Sequence, residues 1–168
     1  MGIYSYELFE YYNVENIIRI GSAGGIADDV HLKDLVIAMG TCTNSNYASQ
    51  YQLPGVFAPI ADYHLLQQAV EIAKEKSISI KVGNIVSSDT FYCDDAQANE
   101  KWKKMNVLAV EMEAAALYMN AARLGKKALC MVTISDHTFT GESLSAAERQ
   151  TGFQQMMETA IELAYRNA

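Results

Sequence analysis

The sequence predicts an α/β fold in three layers, α/β/α, with helices on both faces of a central, mostly parallel mixed sheet. Short β-branched runs alternate with longer amphipathic stretches along the whole chain. The short runs are nearly continuous in apolar residues, as strands covered on both faces must be. Half of the 168 residues are hydrophobic, enough for one sizeable core, so residues 1–168 read as a single domain.

The elements follow in order. Residues 3–12 read as a helix, and Asn16 to Gly21 (NIIRIG) as a buried strand. Asp34 to Thr43 is a second strand, followed by a loop at 44–59 rich in Asn, Ser, Gln, Tyr, Gly and Pro. Asp62 can cap a helix over 63–76, where Leu65, Leu66, Ala69, Val70 and Ala73 recur at helical spacing. Residues 78–87 form the next strand, 96–105 a helix, and 107–111 a short strand. The Ala-rich stretch 114–124 is a helix that Gly125 ends, and Lys127 to Ser135 reads as a fully buried strand. One last helix is expected over 145–167, because Ser145 and Glu148 have the spacing of a capping box.

Composition excludes several classes of function. A formal charge of −7 and no dense Lys/Arg cluster argue against nucleic acid, whose affinity comes mainly from neutralised phosphates. Cys42, Cys93 and Cys130 are odd in number and widely spaced, so neither a disulfide framework nor a thiolate metal site is suggested, and a reducing cytoplasm fits. No apolar run approaches the ~18 residues of a membrane span. His31, His64 and His137 lack metal-ligand spacing and read as loop or surface residues. Met39, Met105, Met119, Met131, Met156 and Met157 read as core filling.

In open α/β sheets ligands bind at the carboxyl ends of strands, which directs attention to the polar residues ending the apolar runs. Arg19 lies within such a run and needs an anionic partner. With Ser22 and the permissive backbone of Gly21, Gly24 and Gly25, it suits an inorganic oxyanion; pairing with a structural Glu and a simple glycine turn is the alternative. Glu111 and Glu113, two apart around Met112, project to one side in extended geometry and could hold a vicinal diol, or could instead decorate a helix N-terminus. Asp136 follows Ser135 at the rim of the interior, where a carboxylic acid can keep a proton to donate, or can serve only to cap a turn. Phe91 could stack on a planar base or belong to the core.

Taken together, the runs Ile17 to Gly24, Gly83-Asn84 through Asp89-Thr90-Phe91-Tyr92, Val110 to Ala115, Ser135-Asp136-His137 and Ala146 to Thr151 resemble the bacterial hexameric purine nucleoside phosphorylases in sequence and order. Glu-Met-Glu and Ser-Asp also occur, in variant forms, in uridine phosphorylases and methylthioadenosine/adenosylhomocysteine nucleosidases, but Ser-Asp-His followed by Ala-Ala-Glu-Arg-Gln-Thr points to the purine branch. The resemblance implies a nucleoside phosphorylase-like fold and phosphorolysis of purine nucleosides, with phosphate as co-substrate and no metal or organic cofactor. It implies that Arg19 and Ser22 bind phosphate, Glu113 holds the ribose hydroxyls, Met112 lines the sugar and Phe91 packs against the base. Asp136 would protonate the purine at N7, assisted by Arg149 once the final helix rearranges. The family is homo-oligomeric, a hexamer built from dimers.

The resemblance covers nearly all of this chain but only about two-thirds of a typical member. Members begin with further strands carrying a second phosphate-binding loop, and with a His and an Arg donated to a neighbouring subunit. The expectations that follow are an N-terminally incomplete sheet, little or no turnover, and association through exposed edges. The competing readings are a nucleosidase that uses water in place of phosphate, and a non-catalytic nucleoside-binding or assembly remnant.

Overall fold

A computed structural model describes residues 1–168. Five strands, β1 (Asn16–Gly25), β2 (Leu35–Thr43), β3 (Ile80–Ser87), β4 (Ala109–Glu111) and β5 (Lys127–His137), form one mixed sheet. β1 runs parallel to β5, β2 parallel to β3 and β3 parallel to β4, while β5 meets β2 antiparallel. The sheet curls until Gly24 and Gly25 of β1 pair antiparallel with Val110 and Ala109 of β4. Closure is confined to those two glycines, so Asn16–Ala23 of β1 and Ile80–Gly83 of β3 have a strand neighbour on one side only.

Alternation along the central strands sends side chains to opposite faces, and each face acquires its own helices. On one, Val36, Ala38, Ala128, Cys130 and Val132 pack against α4 (Ala114–Leu124) and Phe9 of α1 (Gly2–Tyr11). On the other, Leu35, Ile37, Leu129 and Met131 pack against α2 (Tyr63–Glu75) and α6 (Gln154–Arg166). Helix α2 is capped by Asp62, whose Oδ1 accepts from Leu65 N at 2.9 Å. Asn120 of α4 ties in α1, donating to Gly2 O and Ser5 Oγ at 2.8 and 2.9 Å. Its Oδ1 accepts from Tyr47 and Tyr51, at 2.9 and 3.0 Å, in a 3-10 turn inside the loop that follows β2.

Several expectations change. The terminal helix is two, α5 (Ala146–Thr151) and α6, separated at Gly152 and Phe153. At Gly152 a Cβ would come within 2.6 Å of Glu148 O, so the chain leaves α5 at the one residue that tolerates that approach. Gly21, Gly24 and Gly25 do not make a turn; β1 runs through them with a register shift between Ala23 and Gly24. β5 continues past Ser135 to include Asp136 and His137. Of the methionines, Met119, Met131 and Met156 are buried, but Met39, Met105 and Met157 are exposed. His137, expected in a loop or on the surface, is buried instead, because the end of β5 presses it against β1. The short helix α3 (Ala98–Lys103) precedes β4.

Candidate active site

The ends of β1, β4 and β5 meet at Gly24, which pairs with both Val110 and Asp136. A Cβ at this position would stand 3.1 Å from Asp136 Oδ2 and 3.3 Å from Val110 Cγ1. Glycine is therefore what lets the strand carrying Arg19 approach the strands carrying Glu111 and Asp136 so closely.

On one side of this junction lies a cluster of charge. Arg19, with 10% of its side chain exposed, donates through Nη2 to Glu113 Oε2 and lies 3.3 Å from Glu111 Oε2. Its Nη1 donates to Cys130 Sγ at 3.3 Å. The guanidinium lies back along its own strand, where a Cβ on Gly21 would be 3.0 Å from Nη1. Burial opposes the charge of Arg19, but Cys130, Glu111 and Glu113 outweigh it and raise its pKa.

Glu111, 1% exposed, accepts from Glu113 N at 2.9 Å, from Ala114 N at 3.0 Å and from Ser87 Oγ. Ser87 Oγ in turn accepts from Ala115 N at 2.9 Å and lies 3.1 Å from Thr41 Oγ1. The carboxylate thus satisfies orphan N–H groups at the start of α4 while facing the positive end of that helix. Burial pushes its pKa up against the opposing pull of Arg19, Ser87 and these N–H groups. Glu113, at 37% exposure, is the carboxylate that faces outward, with Met112 exposed beside it.

Asp136 stands on the other side, 41% exposed, accepting from Ser135 Oγ at 2.7 Å. Arg149 Nη2 is 3.7 Å from Asp136 Oδ1, and Arg149 Nε donates to Leu144 O at 3.1 Å. This approach follows from a chain reversal: Asp136 bridges to Ser143, Leu144 N donates to Ser135 O at 2.8 Å, and α5 begins at once. Ser145 caps α5 through Glu148 N at 3.3 Å, and Glu148 Oε2 accepts from Ser145 N at 3.0 Å, completing the capping box. Arg149 lies beside Asp136 with α5 as it stands.

The structure therefore brings Arg19, Gly21, Glu111 and Glu113 into one group and Ser135, Asp136 and Arg149 into another, with Gly24 between them. Ser22 is exposed on β1. Phe91 projects from the loop after β3, exposed and edge-on to Tyr92 with ring centroids 5.0 Å apart. That loop is tethered by Asn44, which donates to Ser88 Oγ at 3.2 Å and accepts from Asp89 N at 2.9 Å. Cys130 and His137 were not foreseen: an apolar strand gives no sign that one thiol faces a guanidinium, and no ligand spacing marks the histidine. No cluster of three or more His, Cys, Asp or Glu side chains is arranged to hold a metal ion, and no helix is long and apolar enough to cross a membrane.

The mixed α/β sheet thus holds a nearly buried guanidinium between one inward and one outward carboxylate, with a separate acid near the end of β5. The profile of the Phosphorylase superfamily matches residues 2–166, and the chain belongs to that family. It is 48% identical over 165 residues to the DeoD-type purine nucleoside phosphorylase of Clostridium novyi, covering 98% of this chain and 70% of the relative. The DeoD-type enzymes of Shewanella denitrificans and Geobacillus kaustophilus are 49% and 45% identical, covering 97% and 99% of this chain and 69% and 70% of theirs. The structure of the P. knowlesi homolog of P. falciparum PNP shares the fold, with a TM-score of 0.80 at 23% identity over 98% of this chain and 68% of that one.

Proposed function

We propose that the chain is a purine nucleoside phosphorylase, transferring ribose or deoxyribose from a purine base to inorganic phosphate. The observation that carries this reading is the convergence at Gly24, which sets the Arg19–Glu113 group and the Asp136–Arg149 group on adjoining strand ends. Arg19 has more N–H donors than its contacts with Glu113, Glu111 and Cys130 use, so with Ser22 it can still receive an oxyanion. Glu113 accepts from the ribose hydroxyls, Met112 borders the sugar, and Phe91 with its exposed face covers the base. Glu111 stiffens this arrangement from within.

A phosphate oxygen attacks C1′ as the bond from C1′ to the purine nitrogen breaks, and the departing electron pair is stabilised by a proton from Asp136 to N7. Arg149 stabilises the carboxylate left behind. Phosphate is a co-substrate, and the chemistry calls for no metal or organic cofactor. The three free thiols suit a reducing compartment such as the cytoplasm. The exposed Ile3, Tyr4 and Tyr11 of α1, with Tyr12 just past its end, suit assembly into a homo-oligomer.

The test is phosphate dependence. Hypoxanthine release from inosine should require phosphate, whatever its absolute rate, and Asp136→Asn should lower it by about 10²-fold or more. Release that proceeds equally without phosphate would make the protein a nucleosidase. Full activity in Asp136→Asn would remove the acid from its role.

A further inference from the structure

The contacts of the buried His137 ring define which nitrogen carries its hydrogen. Nδ1 lies 3.3 Å from Phe139 N and 3.4 Å from Thr140 N. Backbone N–H groups only donate, so Nδ1 is an unprotonated acceptor. Nε2, 3.2 Å from Ala27 O, then holds the hydrogen and donates it. The ring, in a residue 6% exposed, is also wedged against β1, where a Cβ on Gly25 would be 2.8 Å from His137 Cδ2. Thr138 adds two bonds at the same place, its N and its Oγ1 each donating to Gly25 O at 2.9 Å.

The turn that this ring holds is the one joining Asp136 to Arg149. The chain reverses through residues 138–141, with Gly141 at φ +73°, and His137 N donates to Glu142 O at 2.9 Å. Leu144 then pairs with Ser135 and offers its carbonyl to Arg149 Nε. The backbone segment from Phe139 and Thr140, which bond the imidazole, to Leu144, which bonds Arg149 Nε, therefore links the ring to the guanidinium beside Asp136.

We propose that His137 is a positioning residue: its neutral Nε2–H ring fixes the 138–141 turn and so holds the Arg149 guanidinium next to the Asp136 carboxyl. The catalytic meaning of this rests on the proton-donor reading of Asp136, but the structural content stands apart from it.

Nitrogen-15 spectra of the imidazole should report the Nε2–H tautomer; an Nδ1–H ring would overturn the proposal. His137→Asn places an acceptor near the Nδ1 position, His137→Leu fills the space without one, and His137→Gln moves the amide toward the Nε2 end. Exchange of the Arg149 Nε–H should stay near the wild-type rate in His137→Asn and quicken about tenfold or more in His137→Leu and His137→Gln. A space-filling role predicts the opposite ranking, with Leu better than Asn, and that result would sink the idea. Should His137→Leu fail to fold, the Asn and Gln variants carry the comparison. In phosphorolysis, His137→Gln should lower kcat about tenfold with both KM values little changed, and His137→Asn should restore it. Absence of turnover in the unsubstituted protein would strike the proposed function alone, because tautomer and exchange judge the positioning separately.

Discussion

Removing the Glu111 carboxylate would leave the guanidinium of Arg19, the Ser87 hydroxyl and the first N–H groups of α4 without their shared acceptor. Glu111→Ala is accordingly expected to lower unfolding stability by about 3–5 kcal/mol in urea titration, and Glu111→Gln, which keeps an acceptor oxygen, by less. Glu113→Gln should shift stability by no more than about 1 kcal/mol, since its partner is shared and the residue half-exposed, while weakening nucleoside binding. The Glu-Met-Glu spacing is legible in the sequence as a paired acid site, but which acid turns inward is not. That choice is made by the N–H groups that open α4 and by Ser87, a residue distant in sequence and close in space. His137 was illegible for a similar reason: its partners are the backbone groups of Ala27, Phe139 and Thr140, which carry no residue-type signature.

Helix α5 shows how an element places a side chain. Its capping box was readable from Ser145 and Glu148, and Ser145→Ala should loosen the helix by about 1 kcal/mol and release Arg149 from Asp136. The N–H and hydroxyl of Ser145, with help from Lys33, hold the Glu148 carboxyl below its ordinary 4.5. A folded value below the unfolded one means that this contribution is present above 4.5 and is lost as pH falls through the lowered value. Amide shifts of α5 followed through an acid titration should show the helix fraying there before the sheet responds. The break after α5 was not readable, because a single glycine is tolerated within a helical pattern and the amphipathic period resumes at Met156, Ala160 and Leu163.

At the scale of the whole molecule, the alternating strand and helix pattern was enough to read the layers, because two covered faces demand apolar residues at every strand position. The curl of the sheet was not legible, since it depends on Gly24 and Gly25 meeting β4, a contact that periodicity does not encode. Leu129, fully buried against α2 and α6, should lose about 2–5 kcal/mol on substitution by Ala, read from the urea midpoint. Alkali supplies a second global probe. Burial pushes the Cys130 thiol from 9.0 up to about 12, and burial followed by Tyr47 pushes the Tyr51 phenol from 10.0 up to about 12. Both folded values exceed the unfolded ones, so stability is intact below the ordinary values and declines as pH rises toward about 12. Urea midpoints should fall across that window, and Cys130→Ala should flatten the early part of the fall.

The interruption at Gly152 and Phe153 divides the C-terminal segment into a short lever and a bolted beam. Met156, Ala160 and Leu163 fasten α6 to the sheet, whereas α5 contributes no residue to any of the apolar clusters. What holds Arg149 near Asp136 is therefore the set of hydrogen bonds at Leu144 and Ser145, so a shift of α5 would be opposed by those bonds more than by the apolar interior.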